Sequence, residues 1–177
     1  GSDSQGRAES VGGSMTNNQL EVCLIQTIEE LSGRILLTGT KGERKKLKGY
    51  PGTLPQLSLP DYWEMEESES LGDSAVEDTL IPYCVVKTTE VEMKEDAAKA
   101  KVYLVFCLYA QDGGHQTMWN LLNCVTGYFR THPVMDAFYC ERAMKAIEQE
   151  EDTYPYFFGG IEMTWNLPDL ECEENYE

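Results

Sequence analysis

Residues 100–110, "AKVYLVFCLYA", form an apolar run with a large side chain at nearly every position. In an extended chain, successive side chains point to opposite faces. A strand that is buried on both faces lies centrally in a sheet. The run therefore predicts a central strand with two apolar faces, one made of Val102, Leu104, Phe106 and Leu108 and the other of Tyr103, Val105, Cys107 and Tyr109.

Four further segments have regular patterns. Apolar residues at helical spacing predict helices over 17–32 and 115–131, and Pro133 follows the second. β-Branched residues predict a strand over 81–91, and apolar/polar alternation predicts another over 160–167. This order implies an α+β fold, with an antiparallel sheet of about four strands, two helices packed on one face and a long irregular loop.

Residues 134–150, "VMDAFYCERAMKAIEQE", have an ambiguous pattern. Their Ala, Met, Lys, Glu and Gln content favours a helix, although propensity is a weak guide. A weaker alternation is compatible with a pair of strands, roughly 137–141 and 143–149. The residues alone leave both interpretations open.

Composition limits the classes of function. The 177 residues suit one domain, and 41% hydrophobic residues are enough for a sizeable core. The net charge of −17 argues against a broad basic surface for the nucleic-acid backbone, so we expect no direct nucleic-acid binding. No apolar run is long enough to span a bilayer and no signal-peptide layout is present, so we expect no membrane partner.

The first residues of the chain are mostly small and polar, and the last ones are mostly acidic. Residues 1–14, "GSDSQGRAESVGGS", are interpreted as a disordered expression-tag remnant, with Met15 as the natural start. Residues 15–170 are interpreted as a single domain. Residues 171–177 form a loose acidic tail.

No motif points to catalysis, a cofactor or a metal. The six cysteines include no C-x-x-C pair and are typical of free thiols in a reducing cytoplasm. His115, an exposed helix-start residue, and His132 flank the second predicted helix, which would hold them roughly 25 Å apart. Acidic residues fall in polar runs at 64–69, 148–152 and 171–177, which indicates solvation. We therefore expect no enzymatic activity.

Residues 34–80 hold a dense group of positive charges followed by acidic residues. The simpler interpretation is an exposed loop, and the functional one is an electrostatic patch that docks on an acidic neighbouring copy of the same protein. The candidate subunit contacts are the basic residues Lys41, Arg44, Lys45, Lys46 and Lys48 and the acidic residues Glu64, Glu66 and Glu67.

Residues 154–168, "YPYFFGGIEMTWNLP", join an aromatic cluster and a double glycine to a strand. One interpretation is core packing, in which the glycines allow a bulge or a tight start to the strand. The other adds a subunit contact through the polar face or the edge of the strand. In both, Trp165 should be mostly buried. The signature residues are Tyr154, Pro155, Tyr156, Phe157, Phe158, Gly159, Gly160 and Trp165.

This signature resembles the C-terminal strand of a family of small tail proteins from prophages of Gram-positive bacteria. "LIPYCVVKT" resembles the first strand of that family, and "VYLVFCLYAQDGGHQTMWNLLNCVTGYF" its central strand, aspartate turn and helix. Together these segments cover about residues 80–168. The family in turn resembles tail-terminator and tail-completion proteins, which act in head–tail joining.

The resemblance implies a fold and a role. Such proteins are small α+β proteins that form rings, usually of six copies, at the head-proximal end of the tail tube. The implied partners are copies of the same chain, tail-tube proteins and head–tail connector proteins. The implied locations are the bacterial host cytoplasm during assembly and then the virion tail. The resemblance also implies that residues 137–149 are mainly β.

An alternative function is an acidic nucleic-acid mimic, an inhibitor or decoy encoded by a mobile element. Acidic runs can imitate phosphates. This hypothesis requires one continuous acidic face, whereas the signature at 154–168 favours the tail protein.

Overall fold

The computed structural model describes residues 16–55 and 78–168. This part of the chain contains two long helices, α1 (Asn17–Ser32) and α2 (Gly114–Thr131), at the two predicted places. It also contains seven strands: β1 (Lys48–Pro51), β2 (Tyr83–Lys94), β3 (Ala97–Tyr109), β4 (Val134–Met135), β5 (Phe138–Cys140), β6 (Lys145–Glu148) and β7 (Tyr156–Leu167).

The seven strands form one curled, mixed sheet. The order is β1-β2-β3-β7-β5-β4, and β6 also pairs with β7. β1 runs parallel to β2, whereas the other pairs are antiparallel. The prediction of an antiparallel sheet of about four strands is therefore wrong, and the fold is mostly β. The missed strands have little pattern to detect, since β1 is "KGYP" inside a charged stretch and β4 has two residues.

β3 lies in the middle of the sheet, between β2 and β7, as residues 100–110 predicted. Only one of its faces is buried throughout. On the opposite face Cys107 is buried, but Tyr103 is half-buried and Val105 is 40% exposed. The prediction of two buried faces is therefore wrong for the middle of β3. The fully covered face comprises Ala98, Ala100, Val102, Leu104, Phe106 and Leu108.

Both helices pack against that covered face and complete one core. Trp165 of β7 is fully buried there, which confirms the prediction for this residue. Its ring meets Phe129 of α2 edge to face, with centroids 5.3 Å apart. The indole Nε1 has no hydrogen-bond partner in the described part of the chain. Burial of the large ring offsets that cost of about 1–3 kcal/mol.

The ambiguous segment 137–149 forms two short strands, so the expectation of mainly β structure is confirmed. Both strands pair with β7. β6 pairs with the first half of β7, with Ile147 opposite Gly160, and β5 pairs with the second half of β7, with Cys140 opposite Trp165. Pairing with one long strand overrides the local helix propensity.

The described part of residues 34–80 is not irregular throughout. β1 pairs with β2, and α1 closes its outer side: Glu29 Oε2 accepts a hydrogen bond from the Gly49 backbone N at 2.8 Å. Pro51 has no N–H to donate. Another strand is therefore poorly placed to add at this edge of the sheet.

Candidate interaction surfaces

The aromatic–glycine signature fixes the start of β7 against its neighbours. Phe157 lies on Gly114, where any Cβ would overlap the ring, and a Cβ on Gly159 would lie 2.7 Å from Met118 Sδ. A Cβ on Gly160 would lie 3.0 Å from a backbone oxygen of β3. The β3–β7 register is unbroken across both glycines. They therefore make room for close neighbours, and the interpretation as a bulge is wrong.

Two tyrosines of the signature bond to other segments of the chain. The Tyr154 hydroxyl donates to the backbone oxygen of Gln111 at 2.9 Å, and the Tyr156 hydroxyl donates to Asp78 at 3.2 Å. Desolvation raises the pKa of the Tyr156 phenol, and the Asp78 carboxylate raises it further. Tyr156 therefore remains a protonated donor at neutral pH. These contacts fit the core-packing interpretation of the signature.

Residues 41–48, which we name the basic segment, lie at the surface beside β1. Lys41, Arg44, Lys46 and Lys48 are exposed, and Lys45 is half-buried with its Nζ 2.6 Å from the Thr79 backbone oxygen. The segment is anchored by Leu47, which is buried. Five basic side chains and Glu43 give it a formal charge of +4.

An acidic cleft of about 340 Å³ lies between the β6–β7 connection and the start of α2. Its lining includes His115, the run 148–153 and the first residues of β7. Glu148 Oε1 lies 2.7 Å from His115 Nδ1 and accepts a hydrogen bond from Trp119 Nε1 at 3.0 Å. Four carboxylates between residues 148 and 152 give this wall a formal charge of −4.

Sequence reasoning missed this cleft. It correctly placed His115 at the start of a helix and exposed, and residues 149–152 of the predicted solvated run are exposed, but it did not predict that this run lines a cleft. The one available signal was the position of that acidic run between an ambiguous strand and the aromatic signature. The approach of His115 to Glu148, 33 residues away in the chain, depends on the pairing of β6 with β7.

The basic segment and the acidic cleft lie at the same end of the sheet but near its two opposite edges. Thr38 forms isolated β-bridges with Arg44 of the basic segment and with Tyr109 at the end of β3. Tyr109 in turn pairs with Tyr156, which lines the cleft. The basic segment continues into β1, whereas the cleft adjoins β6. Three strands, β2, β3 and β7, separate β1 from β6. Four spacings of about 4.8 Å place these edges about 19 Å apart.

The second face of the sheet, which we name the open face, has an apolar half and a charged half. The apolar half includes Val85, Val105 and Phe158, next to the basic segment and the acidic cleft. The charged half mixes lysines with acids: Glu90 lies opposite Lys101, and Glu92 lies opposite Lys99. A decoy would need one continuous acidic face. That hypothesis stays a prediction, although the described open face mixes both signs.

Several predictions concern residues outside the described part of the chain. Glu64, Glu66 and Glu67 lie there, and so do residues 1–14 and 171–177. The predicted contact of these glutamates with the basic segment therefore stays a prediction. The structure instead brings a different acidic run, 148–152, to the surface as part of a cleft.

The described residues lack two features, a cluster of metal-binding side chains and a helix long and apolar enough to cross a membrane. No three of their His, Cys, Asp or Glu side chains converge on a point that could hold a metal ion. Their helices are too short or too polar to cross a bilayer. His115 and His132 lie at opposite ends of α2.

No protein-family model matches this sequence, and no curated protein matches it either. The likeness to prophage tail proteins therefore remains a resemblance carried by residues 80–168.

Proposed function

We propose that this chain is a structural tail protein of a phage or prophage. It acts as a tail terminator or completion protein that forms a ring at the head-proximal end of the tail tube and takes part in head–tail joining. Its partners are copies of itself, tail-tube proteins and head–tail connector proteins. It is made in the bacterial host cytoplasm and ends in the virion tail. The proposal assigns it no enzymatic activity.

One observation supports this proposal above all: at one end of the sheet, positive charge lies near one edge and negative charge lies near the other edge. A ring needs heterologous contacts, in which one surface of each copy binds a different surface of the next. The basic segment carries +4 and the run 148–152 carries −4, both as formal charges. Since about 19 Å separates the two sheet edges, the basic segment of one copy would bind the acidic cleft of its neighbour.

The net charge of −17 opposes association of whole chains. Screening at physiological salt acts beyond a Debye length of about 8 Å, so it weakens this general repulsion more than the contact between adjoining charges. Assembly should therefore persist at moderate salt. At about 1 M salt, where the Debye length falls to about 3 Å, assembly should weaken.

Two charge-reversed variants test the contact. Arg44→Glu with Lys45→Glu brings the formal charge of the basic segment from +4 to 0, and Glu150→Lys with Glu151→Lys brings that of the run 148–152 from −4 to 0. Each variant alone should fail to assemble. A 1:1 mixture should form pairs of unlike chains but no ring, because the unaltered basic segment of one variant binds the unaltered acidic cleft of the other, whereas the two altered surfaces carry no formal charge. Sedimentation velocity and native mass spectrometry measure the size of the complex.

The matched control is Lys87→Glu with Lys94→Glu, which changes the net charge equally at two exposed positions of β2, outside the basic segment. This control should assemble like the natural sequence. If the basic-segment variant assembles normally, or if the mixture forms no pairs although the natural chain assembles, the contact is refuted. If the natural chain stays monomeric, the same variants are compared on purified tail tubes.

The biological role is tested separately by deleting the gene from the prophage and viewing induced particles by electron microscopy. Overlong tails, or finished heads and tails left unjoined, are expected. Normal infectious particles would refute the tail function and bring the acidic decoy forward.

A further inference from the structure

The outer half of β2 is a free strand edge within the described part of the chain. β1 pairs with β2 only over Tyr83–Val86, and the Thr88 backbone N donates to Glu21 of α1. Beyond the bulge, residues 90–94 of β2 pair with β3 alone among the described strands. An unpaired strand edge is a template to which another strand can add.

The register shows which backbone groups of this edge are unpaired. In an antiparallel pair, successive residues alternate between bonding to the partner strand and pointing away from it. Lys94 and Ala97 flank a two-residue turn and form its closing hydrogen-bonded pair. The N–H and C=O groups of Val91 and Met93 therefore point to the free edge. The Met93 side chain is also 68% exposed.

β4 is the opposite edge of the same sheet. The backbone oxygen of Pro133 accepts a hydrogen bond from the Cys140 backbone N at 2.8 Å. The next residue, Val134, therefore directs its N–H and C=O away from β5. Its side chain is 66% exposed, and that of Tyr139 beside it is 47% exposed. Contiguous exposed apolar side chains of this kind mark a docking surface more often than isolated ones do.

These two edges match in level and in direction. Across the sheet, the successive paired residues are Glu92, Lys99, Asn166, Tyr139 and Val134. Val134 therefore lies at the same level of the sheet as Glu92. Four antiparallel pairings connect β2 to β4, so the two strands run in the same direction. A neighbouring copy rotated about an axis along the strands would bring its β4 beside β2, parallel and at this level.

We propose that β4 of one copy adds in parallel to the outer edge of β2 in the next copy, with Val134 opposite Glu92. In a parallel ladder, one residue bonds to the two residues that flank its partner. The Val134 N–H donates to the oxygen of Val91, and the Val134 oxygen accepts from the N–H of Met93. Met135 then lies beside Met93, and the pairing covers the exposed side chains of both edges.

The contact between the basic segment and the acidic cleft fits the same arrangement of copies. Across β7 and β3, Ile147 of β6 lies at the level of Val85. Tyr50 of β1 pairs with Val85 from the other side. One rotation therefore brings β6 of a neighbouring copy towards β1 and its β4 against β2. This inference deepens the proposed function and rests on it, because the ring is what brings the two edges together.

The charges at the β2–β4 contact are also opposite in sign. Residues 90–96 of the β2–β3 hairpin carry a formal charge of −3. Beside β4, the exposed Arg130 and Arg142 each reach the backbone oxygen of the other within 3.5 Å. These arginines outnumber Asp136 in the β4–β5 turn, and Glu141 is held in a salt bridge with β3. Both contacts therefore join opposite charges in one arrangement.

Disulfide trapping between two full-length variants tests the proposal. Glu92→Cys and Val134→Cys are prepared separately, mixed in equal amounts at about 1 M salt, returned to moderate salt and oxidised mildly. Paired residues of neighbouring strands lie close enough for a disulfide. Covalent dimers with one chain of each kind should exceed those of the natural sequence at least ten-fold on non-reducing gels. Peptide mass spectrometry identifies the bridged cysteines.

The matched control replaces Glu92→Cys by Lys87→Cys. Lys87 is an exposed residue of the same strand, about 17 Å along β2 from Glu92, so its mixture with Val134→Cys should give only the background of the natural sequence. Equal dimer yields from both mixtures would overturn the proposal. Dimers formed by either variant alone, through two copies of the same new cysteine, would assign the edge to a two-fold contact and also overturn it.

Native mass spectrometry of the same samples before oxidation separates this inference from the proposed function. Oligomers that lack the disulfide between positions 92 and 134 would overturn the β2–β4 contact and leave the charged ring contact standing. Absence of oligomers both in solution and on purified tail tubes would overturn both contacts. The deletion phenotype tests the tail function independently of either result.

Discussion

Glu21 should be one of the costliest side chains of α1 to remove. It is a carboxylate with only 8% of its surface exposed. Its Oε2 accepts hydrogen bonds from the backbone N of Thr88 at 2.9 Å and from the Thr88 hydroxyl at 2.6 Å. β1 has already ended at Pro51, opposite Val86, and β2 is bulged between Thr88 and Glu90. Glu21 therefore supplies the acceptor that a longer β1 would have provided.

The size of the effect follows from these contacts. Glu21→Ala leaves the part-buried Thr88 N–H without its acceptor, which costs about 1–3 kcal/mol, and loses a second charge-assisted hydrogen bond worth about 1 kcal/mol net. The expected loss in the free energy of unfolding is about 2–4 kcal/mol. For a chain of this length, that lowers the Tm by about 5–15 °C.

Urea and thermal unfolding followed by circular dichroism measure this loss. Glu21→Gln keeps an acceptor oxygen and should cost less than half as much. Glu30→Ala, at an exposed position of the same helix, should stay within about 0.5 kcal/mol of the natural sequence. In a double-mutant cycle, Thr88→Val should reduce the cost of Glu21→Ala by about 1 kcal/mol. Equal costs for Glu21→Ala and Glu30→Ala would refute the reasoning.

Two further predictions concern the core. Gly159→Ala should lower the free energy of unfolding by about 1–3 kcal/mol because the new Cβ would lie 2.7 Å from Met118 Sδ. The control is Gly127→Ala in α2, where no atom lies within 4 Å of the new Cβ, and it should raise the free energy of unfolding by about 0.5–1 kcal/mol. Equal effects of the two substitutions in urea unfolding would contradict the close approach of Gly159 to Met118. Burial raises the pKa of Cys140 to about 12 and also raises that of Cys84, so iodoacetamide at pH 8 should spare both thiols in the native protein. Thiols of the unfolded chain ionise at about pH 8.5, whereas these two buried thiols stay protonated, so the free energy of unfolding should fall as the pH rises above that value. Rapid labelling of either thiol in the native protein would refute the burial.

Patterns within single segments predicted the elements that depend on local spacing. α2 follows from its apolar stripe, and the middle position of β3 follows from the run 100–110. β1 could not be predicted in this way, because "KGYP" becomes a strand only by pairing with Tyr83–Val86 of β2. The same limit applied to residues 137–149, where helix propensity and strand pairing disagreed. The pairing of β5 and β6 with β7 decided that segment.

The candidate surfaces divide in the same way. The positive charge of residues 41–48 and the apolar–glycine character of 154–168 are properties of the residue order, so they were visible without coordinates. The approach of His115 to Glu148 and the exposure of Val105 depend on segments that are distant in the chain. The order of residues within a segment sets the charge and the apolar pattern of that segment. Tertiary pairing alone decides which segments meet and which face of the sheet stays open, because those choices depend on contacts that no single segment contains.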